Sequence, residues 1–337
     1  MPDVAIVGAG PAGLAAALSL KQLAPDARVI VFDRARPARR RPQETLAPPA
    51  RRLLESLGCW EAFRAENFQE CFGTRAAWGS DDPYENEFLF SRHGHGWHLD
   101  RARFDALLAG CARAAGVEVR TGERFGGSAG FVIDASGRRA AFALERGARR
   151  QPVDTLVAVF VVLEVPRPLD TYTLVEAQED GWWYSAPLGE SAAVAAWMSD
   201  ADLARAAGVR EGPRWAAKLA RAKLTSERLD GARPVEAPRV HAAQSHILSP
   251  LAGPGWVAAG DAAMAFDPLS SQGVLKALRS GRLASFVAFD HLQGRPSSHE
   301  RYARIARHEY DAYDQARRQF YAQERRWPDS PFWSRRR

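Results

Sequence analysis

Val4-Ala5-Ile6-Val7-Gly8-Ala9-Gly10-Pro11-Ala12-Gly13 stands near the start of the chain and decides its fold. Four apolar residues make a short buried strand, the glycine-punctuated stretch makes a turn, and Leu14 to Leu23 run apolar and alanine-rich as a helix. A second strand, Arg28 to Phe32, ends on Asp33, twenty residues after Gly13. In such a βαβ unit Gly8 permits the tight turn off the strand, Gly10 lets the backbone approach a pyrophosphate, and Gly13 lets helix and sheet pack closely around Ala12. The helix start offers unpaired N–H groups and a partial positive charge to phosphates. Asp33, with Arg34 beside it, is placed to accept hydrogen bonds from an adenosine ribose. The plainer alternative is a glycine-rich turn without a ligand, but strand, turn, helix, strand and acid stand in register.

FAD and NAD share this fingerprint, so the choice rests on a second signal far downstream. Trp256 to Ala259 read as a buried strand running into Gly260-Asp261, a turn from which Asp261 reaches a ribityl or pyrophosphate hydroxyl of a long, extended cofactor. Phe266-Asp267-Pro268-Leu269-Ser270-Ser271-Gln272-Gly273 follows and ends at the start of a long helix, Gly273 to about His291, whose N–H groups face the flavin ring. An N-capping loop before a core helix is the simpler reading of the same residues.

Between these motifs, Asp100 is an N-cap for a helix from Arg101 to Ala115, and Phe131 to Ile133 form a strand. From about Thr155 to Asp200 the pattern turns alternating and β-branched, as in Val157 to Val165, Tyr172 to Glu176 and Ala192 to Met198. Helix returns from Asp202 to Leu224, interrupted at Gly208 to Pro213. The expected division is a discontinuous nucleotide-binding domain at 1–154 and 240–295, a β-rich substrate domain at 155–239, and a helical, arginine-rich C-terminal segment at 296–337. No second nicotinamide-binding βαβ is expected, because Gly126-Gly127-Ser128-Ala129-Gly130 has the wrong spacing.

The charge distribution removes other function classes. The 337 residues carry 46 Lys+Arg against 40 Asp+Glu, a net +6, and the lysines are Lys21, Lys218, Lys223 and Lys276 alone. Positions 301 to 337 hold ten arginines against five acids, so the tail carries +5 and the remaining chain is near neutral. With no groove-reading motif, nucleic acid is not an expected partner. The longest purely apolar run, Leu156 to Leu163, is far short of the roughly 20 residues that span a bilayer, so no membrane span is expected. Cys59, Cys71 and Cys111 are widely spaced and give neither a disulfide framework nor a metal site. A cytoplasmic protein fits this usage.

On these residues the chain resembles the two-dinucleotide-domain flavoproteins, which include aromatic-hydroxylating FAD monooxygenases, flavin-dependent halogenases and geranylgeranyl-reductase-like enzymes. The resemblance spans nearly the whole chain. It rests on the glycine fingerprint, Glu44-Thr45-Leu46, Arg101-Ala102-Arg103-Phe104-Asp105, Gly260-Asp261, and the Phe266/Pro268/Ser271/Gly273 pattern, which is similar to the halogenase FxPxxSxG signature. Gly181-Trp182-Trp183-Tyr184-Ser185-Ala186-Pro187-Leu188 and the stretch from Glu324 to Trp333 resemble a halogenase-related branch whose members oxidise a protein-borne tryptophan during quinone cofactor maturation. The resemblance implies an α/β fold, a Rossmann-like FAD-binding domain of the aromatic-hydroxylase type with an inserted β-rich substrate domain. It adds Glu44, Arg101, Pro268 and Gly273 to Gly8, Gly10, Ala12, Gly13, Asp33, Arg34, Gly260 and Asp261 as FAD-binding positions.

The implied activity is hydroxylation of an aromatic group, possessed by a small molecule or by a tryptophan of a peptide or protein, through a flavin C4a-hydroperoxide formed from reduced FAD and O2. NAD(P)H binding transiently, or a separate flavin reductase, supplies the electrons. Halogenation fits less well: halogenases resembling this chain use a lysine about seventy residues after the fingerprint, and none stands between Lys21 and Lys218. Tyr184 and Ala186 replace residues of the WxWxIP segment, and Ser270 holds the place of the tryptophan halogenases' glutamate. The alternative enzyme is a reductase or dehydrogenase of the geranylgeranyl-reductase type. A flavin-bound scaffold for a partner enzyme is the non-enzymatic reading.

Catalytic candidates are Ser270, Ser271 and His98; the serines serve equally as caps of the following helix. Trp182, Tyr184 and Pro187 are candidates for contact with the substrate, and Trp182 and Tyr184 share one face of a strand, whose other use is core packing. Arg101 has a surface salt bridge as its alternative, and the Arg39 to Arg41 run reads as solvated charge or pyrophosphate neutralisation. One departure from the family stands out: about a dozen residues join Arg120 to Asp134, where the family carries a β-meander.

Overall fold

Three apolar stretches far apart in sequence, Val4–Val7, Phe131–Asp134 and Trp256–Ala258, lie side by side as parallel strands. Val29–Asp33 and then Glu118–Thr121 extend the sheet in parallel beyond Val4–Val7, and Ala252–Gly253 closes the other edge antiparallel. The central strands are Val, Ile and Ala rich because helices cover the sheet and bury it. The computed structural model describes residues 1–34, 44–88, 91–295 and 298–336; the Arg39 to Arg41 run lies outside them.

Helix Pro11–Leu23 starts three residues before the stretch read from sequence, because Pro11 fits the first helical turn, where no intrahelical N–H bond is lost. It packs along Gly273–Leu292, the longest helix of this unit. Asp100 caps Arg101–Ala114 as expected, its Oδ1 accepting from the N–H groups of Ala102 and Arg103. Thr121 and Phe131 are joined without an intervening strand. In place of a meander, Phe125 from this short connection packs against Phe32 and Phe142 with ring centroids 5.3 and 6.1 Å away.

The second large sheet has eight strands. Its centre is Leu156–Glu164, Ala192–Asp200, Gly181–Pro187 and Thr173–Gln178, paired antiparallel in that order. Gly73–Ala77, lying outside 155–239, joins Thr173–Gln178 in parallel and brings Tyr84–Glu87 with it. Residue alternation sends Trp183 and Trp197 to one face, where helix Gly212–Leu219 covers them with Trp215. Trp182, Phe160, Ala196 and Met198 go to the other, beneath Tyr321, Phe332 and Trp333 of the tail.

The tail is a long helix, Ser298–Tyr321, followed by a strap ending in Pro331–Ser334. Its basic surplus is largely paired inside the molecule: Arg317 with Asp154 and Asp314, Arg326 with Glu324 and Asp81, Arg335 with Asp200 and Asp202, and Arg336 with Asp200. Among the described residues, no helix is long and apolar enough to cross a membrane.

Candidate active site

The loop after Val4–Val7 is shaped by close backbone approaches. Gly8 takes a φ of +109° and donates its N–H to the Phe32 carbonyl at 2.7 Å. A Cβ on Gly8 would lie 2.3 Å from the Ala135 oxygen, and one on Gly13 would lie 2.0 Å from the Gly8 oxygen. The loop is therefore pressed between two strands and its helix. Gly10 caps that helix without a side chain, and no acidic residue stands in the first turn, so its positive end is left to an outside anion. Asp33 Oδ2 accepts from the Ala9 N–H at 2.9 Å, which fixes the acid against the loop. Arg34 follows, exposed.

At the second motif the Gly260 N–H donates to Ser280 Oγ at 2.8 Å. Asp261 meets a residue whose role the sequence did not reveal: Lys276, wholly buried on helix Gly273–Leu292, donates to Asp261 Oδ1 at 2.5 Å and to the Met264 carbonyl at 2.7 Å. Burial works against the Asp261 carboxylate, yet Lys276 and then Arg138, 3.6 Å away, overcome it and hold the carboxyl down at about 2. Asp261 is thus an anion fixed in direction, able to accept from hydroxyl groups.

Arg101 is buried between Glu44 and Asp105, with its Nε left without a partner. Glu44 in turn reaches the helix start at Gly273, where a Cβ would lie 3.2 Å from Glu44 Oε2. The loop before that helix contains the turn Pro268–Ser270. Ser270 Oγ donates to the Asp267 carbonyl at 2.9 Å, while Ser271 is exposed with a left-handed φ of +51°, a conformation non-glycine residues hold at some cost. Asp267 is enclosed: its Oδ2 accepts from Tyr321 at 2.8 Å, and its N–H donates to Tyr313 at 2.6 Å.

Facing this loop is a cluster centred on Thr45. Its Oγ1 lies 3.1 Å from each of His98 Nδ1, Thr173 Oγ1 and Tyr184 OH. His98 Nε2 is 2.9 Å from the Thr171 carbonyl. Burial pushes His98 down to about 4 and the Tyr184 phenol up to about 12, so both are neutral at ordinary pH. Tyr184 and Leu269 both pack against the apolar cluster that holds Trp182. Trp182 lies deeper, fully buried, its Nε1 donating to Tyr321 at 3.1 Å, and Pro187 is buried at its strand's end. The structure thus brings Glu44, Arg101, Asp261, Gly273, His98 and Tyr184 to one region and puts Trp182 behind it.

A model of the tryptophan halogenase family matches residues 80–337. The candidate FAD-dependent oxidoreductase LodB of Marinomonas mediterranea is 27% identical over 366 aligned residues, covering 99% of this chain and 96% of that protein. The flavin-dependent halogenase CmlS superposes with a TM-score of 0.87 at 28% identity, covering 99% of this chain and 67% of its own. The peptidyl tryptophan dihydroxylase QhpG, essential for tryptophylquinone cofactor biogenesis, gives 0.79 at 25% identity, covering 99% and 78%.

Proposed function

The chain belongs to the tryptophan halogenase family, and from that premise we propose that it is a monooxygenase that hydroxylates an aromatic ring, a tryptophan of a peptide or protein being the favoured substrate. At the coarser level it is an FAD-dependent oxidoreductase of halogenase-like fold. The observation that carries the finer reading is the make-up of the site wall. Thr45, His98 and Tyr184 stand there, and the sequence has no lysine from 22 to 217 for a halogenating intermediate. Lys276, the lysine nearest the second motif, is locked onto Asp261.

The residues present fit FAD. The uncapped start of Pro11–Leu23 and the buried, unpartnered Arg101 Nε are donors suited to a pyrophosphate, and Asp33 and Asp261 are acceptors suited to sugar and ribityl hydroxyls. Gly8, Gly10, Ala12, Gly13, Asp33, Arg34, Glu44, Arg101, Gly260, Asp261, Pro268 and Gly273 would hold it. Residues 1–154 and 240–295 would form this unit, lending Gly73–Ala77 and Tyr84–Glu87 to the sheet dominated by 155–239, with 296–337 strapped over it. When bound and reduced, FAD supplies the activation of molecular oxygen, with electrons from NAD(P)H or a separate reductase. The chain's own tasks are to orient the ring beside Tyr184, to fix the helix start at Gly273 through Glu44, and to keep water out beneath the tail aromatics.

Incubating the purified protein with FAD, a reductant, chloride, bromide, labelled O2 and a tryptophan-containing peptide should place label in the peptide. Unlabelled product with a reduced double bond would point to the geranylgeranyl-reductase type, and halide in the product to halogenation. Gly13→Val is expected to give a folded protein that has lost at least about tenfold in FAD affinity, since the loop must move to relieve the overlap with the Gly8 oxygen. Flavin absorbance after desalting checks it; full retention of flavin would remove the glycine loop from the site.

A further inference from the structure

The hydrogen-bond directions in the Thr45 cluster can be worked out one by one. A carbonyl only accepts, so the Thr171 oxygen makes His98 Nε2 the N–H donor. The neutral ring then presents a lone pair at Nδ1, and the Thr45 hydroxyl must donate to it. A hydroxyl has one proton and two lone pairs. With its proton spent on His98, Thr45 accepts from both remaining neighbours, Thr173 and Tyr184. The Tyr184 proton is thereby turned inward. Tyr184 is also the one residue of Gly181–Pro187 left partly open, and the strand Glu44–Leu46, which carries Thr45 and belongs to another sheet, likewise keeps Glu44 and Thr45 partly open. With the proton directed into the cluster, the lone pairs of the tyrosine oxygen are what remains for a further donor.

We propose that the Tyr184 oxygen is a hydrogen-bond acceptor for the substrate, so that the site selects an aromatic ring carrying an N–H or O–H donor over the same ring with that donor methylated. The inference rests on the aromatic-substrate reading above and narrows it. A free indole or phenol meets the requirement, and an N-alkylated indole or an aryl ether does not. His98 and Thr45 are positioning residues here: they set the direction of the tyrosine proton.

The test is binding, measured by calorimetry on the FAD-loaded, non-turning-over protein near neutral pH, with two probe pairs: N-acetyltryptophanamide against its 1-methyl counterpart, and phenol against anisole. The wild type should favour the donor member of at least one pair by roughly fivefold, the size of one neutral hydrogen bond. Tyr184→Phe should abolish that preference while leaving the affinity for the methylated member within about twofold. Thr45→Val combined with Thr173→Val keeps the tyrosine but removes both hydroxyls that hold its proton inward, and should abolish the preference too, which keeps the proposal testable if Tyr184→Phe does not fold. Equal binding of both members by wild type overturns the inference and leaves the aromatic reading standing. A preference that survives in both variants assigns the acceptor elsewhere, and a flavin spectrum altered by Tyr184→Phe with the preference intact puts the tyrosine against the cofactor; both overturn it. Failure of all four probes to bind while FAD is retained takes down the aromatic reading itself.

Discussion

Asp200→Ala is expected to destabilise the protein by about 3–5 kcal/mol, the range for removing one partner of a buried ion pair. Asp200 is 1% exposed and accepts from Arg336 Nη2 at 2.6 Å and from Arg335 Nη1 at 2.9 Å. The Arg336 guanidinium is itself buried, lying 3.7 Å from the Phe332 ring centroid, and the Phe332 carbonyl is its other hydrogen-bond acceptor. Without the carboxylate that charge must either stay desolvated or pull the strap off the sheet. Leaving means exposing Phe332 and Trp333, both almost wholly buried, so neither escape is cheap. Two measurements separate the outcomes: urea denaturation gives the loss, and trypsin sensitivity at the tail arginines shows whether the strap has come away. Because the pair's net worth is much smaller than the cost of breaking it, the double variant Asp200→Ala with Arg336→Met should recover most of the loss. A single variant within about 1 kcal/mol of wild type, with the tail still protected, would sink the idea that this pair fastens the strap.

That ion pair also shows where sequence reading stops. The glycine turn, the Asp100 cap and the Gly273 helix were legible because each is decided by neighbours a few residues away. The partners of the tail arginines are not: Asp200 is 136 residues from Arg336, so the tail reads as a basic surplus until the chain is folded. Lys276 was hidden for a similar reason. On a helix pattern it looks like a solvated residue, and its burial makes sense only beside Asp261, 15 residues earlier on a loop. Gly73–Ala77 and Gly96–Leu99 were missed as strands because they are short and carry little alternation. For Trp182 and Tyr184, alternation correctly put both on one face, and the remaining question was depth. The tail covers Trp182, while Tyr184 two residues on reaches Thr45, and nothing in the strand itself distinguishes them.

Asp267 gives the second large effect, and it depends on pH. Burial, and then the nearby Asp154 carboxylate, push this carboxyl up to about 6 from an ordinary value of 3.8. The fold therefore favours the protonated form. Stability from this group is fully present below about pH 3.8 and is lost as pH rises through about 6, because ionisation is then easier in the unfolded chain than in the folded one. Two pH units of displacement correspond to about 3 kcal/mol. Asp267→Asn removes the titration while keeping an oxygen for the Leu269 N–H, which Asp267 Oδ1 accepts at 2.9 Å. Wild-type stability relative to the variant should accordingly fall by about 2.4 kcal/mol between pH 4 and pH 7, measured by urea denaturation at intervals across that range. Every other titrating group is common to both proteins, so the difference isolates Asp267, and curves that run parallel would rule the effect out. The ionised form is held by Tyr321, whose oxygen also accepts from Trp182, so the tail helix and the β-rich sheet meet at the one carboxyl that leads into Pro268–Ser270. Charging Asp267 loads the joint between the strap and the loop beside the site, which is why its cost should appear as lost stability and not as a local rearrangement of an exposed turn.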